Sequence, residues 1–220
     1  ADLHAISAVA TMGILNRDEG IDAATPGIVR FSSPAQAAGF FMLGETTKTS
    51  AGGKETGKTR SPFTQPFFPL AHGLQAERFS TLAATMVNVD LWMMNTGYVA
   101  GDAQSVAKGE GMKVKIRHSS AMLEAMLKDE IVWTTDPDFG YQIVDIEAPQ
   151  NAALVNAVGT AILNPRSHYA ATGKADIYAA WVERMKEERR VFLTRFSVDP
   201  GIIEATINGP DRNQSGGTEV

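Results

Sequence analysis

Two hundred and twenty residues, 44% of them hydrophobic, suffice for one substantial domain or one lobe of a larger enzyme. A formal charge of −5 and a pI near 5.4 argue against a protein devoted to nucleic acid or to an anionic membrane. The absence of cysteine excludes a disulfide framework and a thiolate metal site and fits a reducing cytoplasm, and no uninterrupted apolar run reaches the eighteen residues of a membrane span.

Residues 3–15 are mostly apolar with no basic region before them, so part of the run reads as a buried strand rather than a signal peptide, stopped by Gly13 and the Asn16-Arg17-Asp18 cluster. A core-type strand so early fits a chain that starts inside a longer polypeptide, and equally a simple N-terminal strand. Thr25-Pro26-Gly27-Ile28-Val29-Arg30-Phe31-Ser32-Ser33-Pro34 then leads into an alanine- and phenylalanine-rich run. Pro34 behind a serine pair marks a helix start, with Arg30 as a surface arginine just before it.

Gly52-Gly53-Lys54-Glu55-Thr56-Gly57-Lys58-Thr59 fits G-x-x-x-x-G-K-[ST], the phosphate-cradling loop in which Lys58 and Thr59 would engage phosphate and magnesium. That loop works only between a buried strand and a helix. Here a polar run precedes it, and Pro62 and Pro66 follow where the helix should be. A small NTPase built on Lys58 and Thr59 is therefore the alternative reading, and a basic loop over residues 52–60 the preferred one. The prolines of residues 61–70 forbid a regular element, and the phenylalanines there predict an extended segment packed on the core. Residues 77–89 have helical spacing and feed the next strand, an α-to-β connection.

The most informative stretch is residues 91–122. Leu91-Trp92-Met93-Met94 is a buried strand closed by Asn95-Thr96-Gly97. A glycine-punctuated connection reaches Met112-Lys113-Val114-Lys115-Ile116-Arg117, whose alternation reads as a strand with one buried face. His118-Ser119-Ser120 follows, with a serine where a helix would be capped. Strand, loop, strand and capped helix make a plausible wall for a nucleotide base. Beyond it, residues 131–133 and 141–146 are short strands about the turn at 136–140. Residues 174–196 form a long amphipathic helix with Trp181 and Met185 inward and Glu183, Arg184, Lys186, Glu187, Glu188 and Arg189 on the solvated side. Residues 1–210 read as one lobe and residues 211–220 as a flexible tail. His4, His72, His118 and His168 are scattered without metal-ligand spacing, and no G-x-S-x-G is present. The element pattern as a whole predicts an α/β fold, a mixed sheet flanked by helices.

Residues 91–122 resemble the C-terminal lobe of ATP-dependent phosphoenolpyruvate carboxykinase. In that family an apolar strand ends in N-T-G and G-K-R-I-x-I-x-x-T-R-A-I forms part of the adenine pocket. Gly111-Met112-Lys113-Val114-Lys115-Ile116-Arg117-His118-Ser119-Ser120-Ala121-Met122 stands at that motif here, with lysine for arginine and serine for threonine. The resemblance places Lys113, Val114 and Ser119 at the base-contacting positions, Arg30 at the arginine that reaches the transferred phosphoryl group, and residues 52–60 at the active-site lid. Ile162-Leu163-Asn164-Pro165-Arg166-Ser167-His168-Tyr169 is similar to the family's I-L-D-P-R-x-x-Y, with Asn164 for the aspartate and Arg166 as a structural brace. It implies conversion of oxaloacetate and ATP to phosphoenolpyruvate, carbon dioxide and ADP, as in gluconeogenesis. ATP, Mg²⁺ and Mn²⁺ are then the cofactors. The phosphate loop, metal ligands and oxaloacetate-binding arginine belong to an N-terminal portion with no counterpart motif in this chain. No nucleic-acid or membrane partner is implied.

Overall fold

An extended backbone with apolar side chains on both sides is stable only between two packed layers. Leu91-Trp92-Met93-Met94 is such a segment, and the computed structural model buries it. The strands β1 (Thr11–Asn16), β5 (Asp90–Asn95), β2 (Ile28–Arg30), β9 (Gln142–Val144) and β8 (Trp133–Thr135) lie side by side in that order. β1 runs parallel to β5 and every other pair is antiparallel. The structure describes residues 9–48, 57–63, 65, 67, 69–86 and 88–210. The expected tail at 211–220 and the first residues of the 3–15 run lie outside them.

Period-two alternation splits the core. Val29, Leu91, Met93 and Ile143 face one layer, made by α1 (Pro34–Leu43), α2 (His72–Thr85), α8 (Ala175–Arg195) and α9 (Pro200–Asn208). Ile28, Trp92, Met94 and Val144 face the other, made by α4 (Ile116–Leu127), α5 (Ala152–Val158) and α6 (Thr160–Leu163). This is the α/β architecture expected, a mixed sheet flanked by helices. α1 begins as read: the Ser33 hydroxyl accepts from Gln36 N at 3.1 Å, Pro34 opens the first turn, and Gly44, at φ +46°, ends it. The short helix α7 (Pro165–Ala171) is capped by Asn164, whose Oδ1 accepts from Ser167 N at 3.0 Å, so the amide does the work of an aspartate there.

Several expectations are corrected. β1 is an edge strand rather than a buried one, with Leu15 62% exposed. The strand expected through Arg117 stops at Lys113, because α4 starts at Ile116, which is 86% exposed. The expected serine cap is supplied instead by His118, whose Nδ1 accepts from Lys115 N at 3.3 Å, while Ser119 sits inside the first turn. Of the proline-rich segment's phenylalanines, Phe63 stacks on Phe41 with centroids 5.7 Å apart, but Phe67 is 87% exposed. Arg189, read as part of a solvated face, is 2% exposed.

Candidate functional site

Each residue of Asn95-Thr96-Gly97 has a separate job at the end of β5. Asn95 is fully buried, and its Oδ1 accepts from Asp18 N (3.1 Å) and Gly97 N (2.8 Å). Its Nδ2 donates to Thr25 O and Tyr98 O, so one side chain ties three backbone segments. The Thr96 hydroxyl donates to Asn16 O at 3.0 Å. Gly97 packs so closely on the backbone of Asp18 that a Cβ would collide with it.

Beyond the turn, β6 (Tyr98–Val99) pairs antiparallel with β7 (Met112–Lys113), and Val114 N donates to Gly97 O at 3.0 Å. The connection contains a helical turn, α3 (Ala103–Ala107), capped by Asp102, where only a glycine loop was expected. Of the three base-contacting candidates, Lys113 and Val114 are thereby tied to the Asn95-Thr96-Gly97 turn. Lys113 Nζ lies 4.3 Å from the Tyr98 ring centroid and donates to Thr96 O at 3.1 Å. Burial, with Arg17 nearby, holds its pKa below the usual lysine value. Val114, 3% exposed, packs with Met94 and Met122 and forms a floor rather than an open wall. Ser119 is half-buried in the first turn of α4.

Arg30 is on the five-stranded sheet, away from the end of β5 that leads into the β6–β7 pair. It pairs with Trp92 in register, five residues before Gly97, which places it roughly 16 Å along the strand from the β6–β7 pair at about 3.3 Å per residue. Its guanidinium lies 5.1 Å from the Trp133 ring and 3.8 Å from Asp90 Oδ1, a long and exposed ion pair that leaves donors free. It lines a cavity of about 300 Å³ with Ser32, Ser33, Asn88 and Asp90. A larger cavity, about 810 Å³, lies between α1, α2, α9 and the β8–β9 turn. Lys113, Val114 and Ser119 line neither.

The phosphate-loop reading is overturned. Gly57, Lys58 and Thr59 form β4 (Gly57–Thr59), paired antiparallel with β3 (Thr46–Lys48), and the next helix begins only at His72. Lys58 Nζ is spent on Asp18 Oδ1 at 2.8 Å, an aspartate 1% exposed, and lies 5.8 Å from the Trp181 ring. Residues 52–56 of the expected lid lie outside the described residues; its far end is pinned, with Arg60 bonded to Glu45 and Glu188, each at 2.8 Å. Arg166, read as a brace, bonds Asp138 Oδ2 at 2.9 Å.

Asp18 is the residue that sequence reasoning missed, taking it only as a strand stop. Its carboxylate accepts from Glu19 N, Ala24 N, Thr25 N and the Thr25 hydroxyl as well as Lys58. It thereby joins the root of the 49–56 segment to the turn that carries Tyr98. Among the described residues no group of three His, Asp or Glu is placed to hold a metal ion.

A family model described as phosphoenolpyruvate carboxykinase matches residues 20–150, more than half of the chain and including the Asn95 turn, β6, β7 and α4. The chain belongs to the phosphoenolpyruvate carboxykinase family. Relatives named phosphoenolpyruvate carboxykinase (ATP) agree. That of Chelativorans sp. (strain BNC1) is 29% identical over 184 residues, 80% of this chain and 30% of its own. That of Mesorhizobium japonicum is 30% identical over 193 residues, 84% and 32%. The archaeal one from Aeropyrum pernix is 27% identical over 168 residues, 76% and 29%. The chain thus spans about 30% of the length of the phosphoenolpyruvate carboxykinases it matches. The matched residues include Arg30, Lys113, Val114 and Ser119, and they also include Asp18's partners Ala24, Thr25 and Lys58.

Proposed function

We propose that this chain is the C-terminal, base-binding portion of a cytoplasmic, gluconeogenic phosphoenolpyruvate carboxykinase, which turns oxaloacetate and ATP into phosphoenolpyruvate, carbon dioxide and ADP. Residues 1–210 supply the lobe. The observation that carries the reading is the placement of Arg30 and Lys113 toward opposite ends of β5: Arg30 pairs with Trp92, and the β6–β7 pair that holds Lys113 lies beyond Asn95. One extended nucleoside triphosphate is of the order of the distance between them.

In this scheme the base lies against Lys113, above the apolar floor made by Val114, with Ser119 at its edge. The Lys113 ammonium has three donors and gives one to Thr96 O, so two remain for acceptors on base or ribose. Arg30, with its weak hold on Asp90, turns toward the transferring phosphoryl group and offsets charge as the enolate oxygen attacks it. The divalent ions, Mg²⁺ and Mn²⁺, neutralise phosphate and enolate charge when bound, and their ligands belong to the N-terminal portion. Residues 52–60 close over the site from the Lys58–Asp18 and Arg60–Glu45 anchors.

Equilibrium binding of ATP to the 220-residue chain tests this. Lys113→Ala weakens binding about tenfold, the loss of one charge-assisted contact, whereas Lys58→Ala leaves it within about twofold. The same chain shows no oxaloacetate-dependent turnover. No binding of any nucleotide would place the chain with regulatory or interaction domains, and unaided turnover would refute the division of labour.

A further inference from the structure

The cavity of about 810 Å³ between α1, α2, α9 and the β8–β9 turn contains none of the residues assigned to nucleotide or phosphoryl group. Its shape is fixed by side chains: Ser32 Oγ donates to Gly140 O at 2.7 Å, and the buried Gln36 donates through Nε2 to Phe139 O at 2.9 Å. The turn is thereby held against α1. The charge of the wall has one sign. It carries four carboxylates, Glu77 on α2, Asp136 in the β8–β9 turn, and Asp199 and Glu204 at α9, with no lysine or arginine. Among the described residues Glu77 has no ion-pair partner, and Glu204 has only Arg190 at 3.6 Å, a long contact between two half-exposed groups.

Asp136 shows what such a wall lacks. It is 2% exposed, and its Oδ1 accepts from Asp138 N at 3.0 Å and Phe139 N at 2.8 Å, but among the described residues Oδ2 receives no hydrogen bond. Burial, with the charge of Asp138 adding to it, pushes its pKa up against the pull of those two backbone donors. A buried carboxylate oxygen with no donor is costly, and an ammonium group supplies both the donor and the opposite charge. Among the described residues no three acids stand close enough to share a metal ion, so a bare divalent cation finds no cage here. A cation whose charges are spaced along a hydrocarbon chain matches separated carboxylates. Ala35, Ile202 and Ala205 supply apolar wall for its methylenes.

We infer that this cavity is a binding site for an aliphatic di- or polyamine, with one ammonium on Asp136 and the others on Glu77 and the acids of α9. The inference does not rest on the base-binding reading. Isothermal titration of the protein with spermidine at fixed ionic strength tests it. Binding is saturable with a Kd of about 1 mM or tighter, and neither xylitol, a neutral chain of hydroxyls, nor Ca²⁺ displaces the amine. Asp136→Asn keeps the Oδ1 acceptor of the turn and puts an amide at Oδ2, and it weakens binding by about tenfold or more. Glu77→Gln, on the exposed side of α2, disturbs no packing and weakens binding by about threefold, so the test survives if the first variant fails to fold. The amide resonances of Ser80, Gly140 and Gly201 shift during the titration. No saturable binding, unchanged affinity in Glu77→Gln, shifts confined to other segments, or equal displacement by Ca²⁺ or xylitol would overturn it. No nucleotide enters these measurements, so the base-binding reading stands or falls separately.

Discussion

Arg189 shows how much a single buried charge can organise. Its guanidinium bonds Glu45 through Nε (3.2 Å) and Nη2 (3.0 Å) and lies 4.9 Å from the ring centroids of both Phe40 and Phe139. Burial alone would raise the Glu45 carboxyl, but Arg189, Lys58 and Arg60 together hold it well below the usual carboxylate range. Removing one partner strands the other, so Arg189→Met is expected to lose about 3–5 kcal/mol of stability by chemical denaturation. A loss below about 1 kcal/mol would mean that Arg60 alone satisfies Glu45. His118 behaves differently. Burial, then Arg117 and Lys115, depress its pKa below the ordinary value of about 6.5. The folded state thus prefers the neutral ring, and as pH falls through 6.5 the unfolded chain takes up the proton first. Stability is full above that pH and declines below it. His118→Gln should flatten the stability profile between about pH 7 and 5, and an unchanged slope would assign the acid loss to other groups.

Among the elements, the turn after β5 fixes where everything on the candidate site sits. Gly97→Ala drives a methyl group into the backbone of Asp18, which cannot yield without breaking the Asn95 and Lys58 bonds. The expected cost is about 1–3 kcal/mol, the range for overpacking, with ATP affinity falling in parallel. Retained affinity would separate the turn from the base site. This turn was legible in the sequence, since Asn-Thr-Gly after four apolar residues leaves little else for it to be. So were β5, the Ser33–Pro34 start of α1 and the inward Trp181 and Met185 of α8. The strand through Arg117 was not legible, because Lys-Val-Lys-Ile-Arg alternates by twos while only its first part pairs, and Ile116 points to water. Nor was Arg189, which occupies a charged run on α8 and is buried only because Glu45, 144 residues away, arrives beside it. Long-range partners of that kind leave no local pattern. Asp18 was hidden in the same way, as its Lys58 partner looked like the lysine of a phosphate loop.

At the scale of the molecule, two helical layers enclose a sheet that carries Arg30 on β2, with the separate β6–β7 pair beyond the end of β5. The β3–β4 hairpin is stapled to α8 and to the loop after β1 by Lys58 and Arg60. A base cradle in residues 91–122 and a flap rooted in that hairpin are the central claim. Photolabelling with 8-azido-ATP, followed by peptide mapping, tests it most directly. The adduct is predicted within residues 91–122 and should be competed away by unmodified ATP. A competed adduct confined to residues 52–60, or none that ATP displaces from residues 91–122, would contradict it.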